Sequence, residues 1–122
     1  MPLPENYPLN DVIVSAYLAD LSTASSCYAV SPVRGRIIEA WSVIQGTVPT
    51  TLDCTWSLEI NNVAVTGSTA TVTVSGAAAG DVDVSTPTGA NFVNEGDTIE
   101  FRSLGESSAT VPTMFYARIR IS

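Results

Sequence analysis

Histidine and lysine are both missing from this 122-residue chain. Without imidazole there is no ordinary general base and no nitrogen ligand for a metal. Without lysine there is no ammonium nucleophile, and the arginines leave little positive charge to grip a phosphate. A Ser-His-Asp system is excluded outright, however many serines the chain carries. Charged residues make up only 14% of the sequence, against about a quarter in an average soluble domain. Long apolar runs are missing too. The longest stretch, residues 12–21, is interrupted by Ser15 and Asp20, well short of the roughly 18 residues a membrane span needs. The N-terminal MPLPENYPLN has neither the basic segment nor the apolar segment of a secretion signal, so synthesis in the cytoplasm without processing is expected.

The cysteines are few and isolated. Cys27 and Cys54 show no CxxC spacing, and a zinc site is not expected from two thiols without histidine. Two buried, reduced thiols acting as small apolar groups are the first expectation, with a disulfide formed after release from the cell as the alternative. Charge of positive sign is scarce: five arginines face twelve carboxylates, for a net charge of -7. Nucleic-acid binding relies on phosphate neutralisation. Arg34, Arg36, Arg102, Arg118 and Arg120 form no basic stripe, so no nucleic-acid partner is expected, and no membrane partner either.

What the chain does have is alternation. Cys54, Trp56, Leu58 and Ile60 share one phase, with Thr55, Ser57 and Glu59 in the other. Ala70, Val72 and Val74 alternate with Thr71, Thr73 and Ser75; Ile99 and Phe101 with Thr98, Glu100 and Arg102. Phe115, Ala117, Ile119 and Ile121 alternate with Met114, Tyr116, Arg118 and Arg120. These period-2 segments, rich in β-branched and aromatic residues, predict strands with Trp56, Leu58, Ile60, Ile99, Phe101, Phe115 and Ile119 in the core. Residues 35–45 are apolar in both phases, as in a strand covered on both sides, and Trp41 is expected in the core with Ile37 and Val43. Residues 27–30 make a shorter strand. Residues 12–21 would also suit one helical face, but Val12, Ile13 and Val14 are β-branched together and favour a strand.

Turns are expected at Asn61-Asn62, Gly67-Ser68, the GAAAGD stretch, Glu95-Gly96-Asp97 and Gly105, where Asn and Gly supply positive φ. About eight strands at this spacing predict an all-β, antiparallel two-sheet sandwich. Residues 1–10, with Pro2, Pro4 and Pro8, read as an extended N-terminal arm, and residues 11–122 as one sandwich domain. Leu3, Tyr7 and Leu9 make the arm too apolar for a merely solvated tail, so it is expected to lie across a neighbouring subunit or a partner surface.

Candidate chemistry is thin. Asp81, Asp83, Glu95 and Asp97 stand near loops and have the oxygen ligands calcium needs, but no D-x-D-x-D-G loop is present and turn formation accounts for them. GAAAGD shares only its glycines with a phosphate-binding loop and lacks the following Lys-Ser/Thr. No enzyme activity and no cofactor are expected; a small polysaccharide-degrading enzyme would need two carboxylates facing each other in a cleft. Trp41, Trp56 and Tyr116 suggest a sugar-stacking platform until their phases are considered, which place both tryptophans inside. The strip Met114, Tyr116, Arg118 and Arg120 has the composition of a protein interface. With Leu3, Tyr7 and Leu9 it forms the candidate contact set.

The runs ADLSTASSCYAVSPVRGRIIEAWSVIQG, LEINNVAVTG and SGAAAGDVDVSTPTGANFVNEGDTIEF, in that order, resemble small decoration (cement) proteins of tailed-bacteriophage heads over roughly residues 12–121. The likeness lies in strand and turn cadence, above all the Pro-x-x-Gly before a long strand and the Gly-Asp before a late one. It implies a jelly-roll-like sandwich that self-associates as a homo-oligomer and sits on the outer capsid surface of the virion. There it would bind the major capsid protein and bridge neighbouring capsomers. The resemblance carries over no catalytic, ligand-binding or contact residues. Sandwiches host many functions, so the competing expectation is a receptor- or carbohydrate-binding fibre or adhesin module. Exposed aromatics clustered at one end of the sandwich would favour sugar binding; aromatics along a flat face would favour a capsid partner.

Overall fold

A computed structural model describes residues 10–122. Among these residues every regular element is a strand: β1 (Asp11–Leu18), β2 (Ser25–Val30), β3 (Gly35–Ile44), β4 (Cys54–Ile60), β5 (Val63–Ala64), β6 (Ala70–Val72), β7 (Val82–Ser85), β8 (Phe92–Val93), β9 (Thr98–Gly105) and β10 (Thr113–Ile121). They form two antiparallel five-stranded sheets. Sheet I runs β1-β10-β3-β7, with β8 also on β3. Sheet II runs β2-β9-β4-β5, with β6 also on β4. The expected two-sheet sandwich is what the chain builds.

The core lies between the sheets and is made by the alternating phases. Trp56, Leu58, Ile60, Ile99, Phe101, Phe115 and Ile119 are all buried. Phe115 of sheet I meets the Trp56 ring edge-on at 5.0 Å and stacks on Phe101 at 5.1 Å. Each such aromatic pair adds about 0.5–1.5 kcal/mol beyond the area it buries. The indole would otherwise leave a polar N–H in the core. It donates to Ser42 Oγ across the sandwich at 3.0 Å, joining β4 to β3.

Residues 12–21 are a strand as far as Leu18, after which the chain turns through Asp20. The Asp20 Oδ1 accepts the Ser22 amide at 2.9 Å, the Ser22 hydroxyl at 2.5 Å and the Val111 amide at 2.9 Å. That knot turns Leu21 fully into the core. Asn61 and Asn62 both take positive φ, 48° and 68°, in the β4–β5 hairpin turn. Gly35 is needed for a different reason. A Cβ there would stand 2.1 Å from the Arg120 carbonyl oxygen of β10.

Two expectations about residues 35–45 need correction. Trp41 is not a core residue, and β3 is not covered on both sides. Between Arg118 and Ile119 the β3–β10 register shifts: Arg118 faces Glu39, but Ile119 faces Ile37. The extra residue reverses the phase, so Ile37, Ala40, Ser42 and Ile44 point inward while Trp41 and Val43 stay half-exposed on the outer face. The cause is electrostatic. An unbroken alternation from Ile37 would drive Glu39 into the core, where a carboxylate is costly. The bulge instead turns Glu39 outward beside Arg118.

Cys27 and Cys54 are buried free thiols. They sit on β2 and β4 with β9 between them. Two strand spacings, about 9.5 Å, exceed the roughly 7 Å that a disulfide can bridge. Burial, aided by the Glu100 charge, pushes the Cys27 thiol up to about 11, so it stays protonated and unreactive at neutral pH.

Candidate interaction face

Strand pairing gathers one continuous surface on the outside of sheet I. Tyr17 lies opposite Met114, Met114 opposite Val43, and Val43 opposite Val82. In the next row Ser15 faces Tyr116, Tyr116 faces Trp41 and Trp41 faces Val84. Ile13 lies beside Arg118 in the third row, with Glu39 beyond. Tyr17 is 56% exposed and Val82 58%, while Trp41, Val43, Met114 and Tyr116 are half-buried. Large apolar side chains left partly in water by four adjacent strands make this face the candidate interaction surface.

One end of this face is held by ion pairs. Arg120 grips Asp11 through two hydrogen bonds, Nε to Oδ1 at 2.9 Å and Nη2 to Oδ2 at 3.0 Å. Arg118 reaches Glu39 at 3.3 Å and Asp11 at 4.0 Å. The Arg120 hydrogen bond, opposed in part by desolvation, holds the Asp11 carboxyl below its usual range. The Arg118 guanidinium also lies over the Trp41 ring, 5.1 Å from its centroid, a cation–π contact. The charges here are mutually neutralised, so covering them costs less than covering isolated ions.

Sequence reasoning placed Met114, Tyr116, Arg118 and Arg120 on one strip, and the structure brings these four together on β10. It missed Ile13, Tyr17, Trp41, Val43, Val82 and Val84. Tyr17 was legible, since it alternates with Val14 and Ala16 once a strand is assumed. Glu39 amid apolar neighbours was the one local hint of the bulge that exposes Trp41. Leu3, Tyr7 and Leu9 lie outside the described residues. Asp81 and Asp97 are turn caps: Oδ2 of each accepts an amide three residues back, from Ala78 and Asn94, at 2.8 Å.

The outer face of sheet II is different in kind. Ser26, Tyr28, Thr98, Glu100, Arg102, Ser57 and Glu59 line it, and Arg102 pairs with Glu59 at 2.9 Å. That face also exposes Tyr28, Val30 and Leu104, so it is mixed and acidic, whereas the outer face of sheet I carries a row of aromatic and apolar groups. Neither a protein-family model nor a curated protein matches this sequence.

Proposed function

We propose that the chain is a non-enzymatic capsid decoration (cement) protein that lays the outer face of sheet I on the outer surface of a phage head. In this reading it contacts the major capsid protein and stabilises the junction between neighbouring capsomers. The observation that carries the proposal is the placement of the exposed aromatics. Tyr17 and the half-buried Trp41 and Tyr116 make a row along one flat face of three adjacent strands, whereas the other exposed aromatics, Tyr28 and Phe92, stand singly on β2 and β8 and form no group at a loop end.

The size of the face supports a lattice as partner. Four strands at about 4.8 Å, each presenting two or three outward side chains over a span of about 16 Å, give a flat patch of roughly 300 Å². A stand-alone complex needs about 800 Å² per partner. A face this small binds weakly alone and gains occupancy when several copies engage a repeating surface together. Self-association as a homo-oligomer supplies those copies.

The test mixes purified protein with heads that lack it and sediments the particles. Wild type co-sediments; Trp41→Asp and Tyr116→Asp lose at least tenfold in occupancy while keeping their fold by circular dichroism; deletion of residues 1–9 lowers occupancy without unfolding. Full occupancy by both aspartate variants would overturn the assignment of this face. Absence of wild type from the particles would overturn the function.

A further inference from the structure

On the opposite side of the sandwich, Tyr28, Asn61, Asn62, Thr98 and Glu100 line a cleft of about 260 Å³. Its floor is a carboxylate in an unusual position. Glu100 is only 8% exposed, and its side chain has a single hydrogen-bond partner among the described residues, the Ser26 hydroxyl on Oε2. Oε1 has no donor, yet Ser85 Oγ is the one unpartnered side-chain oxygen sealed from solvent among those residues. Oε1 therefore opens onto the cleft.

Among the described residues no salt bridge reaches this carboxylate. Glu59 stands directly opposite Glu100 across β4 and β9, an arrangement of like charges that destabilises a sheet. Arg102 relieves only Glu59. Arg118 and Arg120 are engaged on the other sheet, where Arg36 also stands, on β3 opposite Arg120, and Arg34 lies over Phe92. On the other flank Tyr28, directly opposite Glu100 on β2, is 59% exposed. The rim is stiff, because Asn61 Oδ1 accepts the Thr98 amide at 2.9 Å and the Asn61-Asn62 turn is closed.

An unpaired carboxylate at the bottom and an aromatic wall at the side are the two groups that hold an alkyl cation, by charge and by cation–π contact. The volume narrows the class further. Small-molecule sites run from about 300 to 1,000 Å³, so this cleft is at the small end and has room for one long side chain. A neutral sugar would leave the Glu59–Glu100 repulsion in place. We propose that the cleft receives one basic side chain, lysine or arginine, of a partner protein, its stem along Tyr28 and its charged head on Glu100. This proposal is independent of the sheet I assignment, since the two faces are on opposite sides of the sandwich.

The experiment titrates ¹⁵N-labelled wild-type protein with Nα-acetyl-lysine methylamide and Nα-acetyl-arginine methylamide. Nα-acetyl-norleucine methylamide, 1,4-diaminobutane and a methyl glycoside serve as comparisons. The expected result is saturable amide shifts at Tyr28, Asn62 and Thr98 with one of the capped basic residues. The dissociation constant should fall in the millimolar range proper to a single side chain and weaken as salt is raised. Glu100→Gln should weaken it at least tenfold and Tyr28→Ala about threefold, with norleucine and the glycoside silent. If Glu100→Gln unfolds, Tyr28→Ala, at an exposed position, carries the test. Equal binding of norleucine, binding of the glycoside or of the diamine alone, or no shift with either basic residue would overturn the proposal.

Discussion

The chain carries two tryptophans, and they make a matched experiment because the bulge in β3 turns Trp41 to the outside of sheet I while Trp56, on β4, lies between the sheets. Trp56→Ala empties a site with no solvent exposure, between Phe115 and Ser42. Truncating a core aromatic of this size costs about 3–5 kcal/mol. Ser42 Oγ would also be left buried without its indole donor, which adds a further roughly 1–3 kcal/mol. Against a total stability of about 5–15 kcal/mol, the variant should be barely folded. Trp56→Phe keeps most of the volume and isolates the lost hydrogen bond, at about 1–3 kcal/mol. Trp41→Ala removes a half-exposed ring and one cation–π contact with Arg118, worth about 0.5–1 kcal/mol. For a domain of this length that is a fall of only about 2–5 °C in Tm. Urea unfolding followed by far-ultraviolet circular dichroism reads all three without depending on indole fluorescence. If Trp41→Ala destabilised the protein as much as Trp56→Ala, Trp41 would be in the core and the phase reversal at Glu39 would be wrong.

Replacing Cys27 and Cys54 together by alanine should cost only the small cavities left behind, on the order of 1–2 kcal/mol, and reductant should leave the wild-type Tm unchanged; a collapse on adding reductant would show a bond between them. Acid should act through Asp20, whose carboxyl is raised by burial but lowered more by its bonds from Ser22, Val111 and Thr23, leaving it below its ordinary 3.8. Because the folded value lies below the unfolded one, the stabilisation is complete above pH 3.8 and is lost as pH falls through the folded value. Asp20→Ala should be less stable at pH 7, with a flatter decline in acid than wild type, and an unchanged acid slope would remove Asp20 from the account. Asp83 works in the opposite sense, its carboxyl raised by burial and by Asp81, so Asp83→Asn should match or exceed wild-type stability at pH 7.

Much of the fold was legible because it follows from local sterics and the sorting of side chains between water and core. The alternation in β4, β9 and β10 identified strands and their inward faces without reference to any partner, since side chains of a strand alternate whatever lies beside it. Asn61 and Asn62 announced a tight hairpin because few residues tolerate positive φ. The composition of β10 likewise marked Met114, Tyr116, Arg118 and Arg120 as one outward strip. What the tertiary structure alone decided depends on register and on neighbours distant in the chain. Trp41 faces outward only because β3 bulges against β10, and a slip of one residue reverses every side chain beyond it. Arg120 and Asp11 are 109 residues apart, and no local pattern could pair them. The Glu100 cleft likewise exists only because β9 lies between β2 and β4, which sets Tyr28 on one side of that carboxylate and Glu59 on the other.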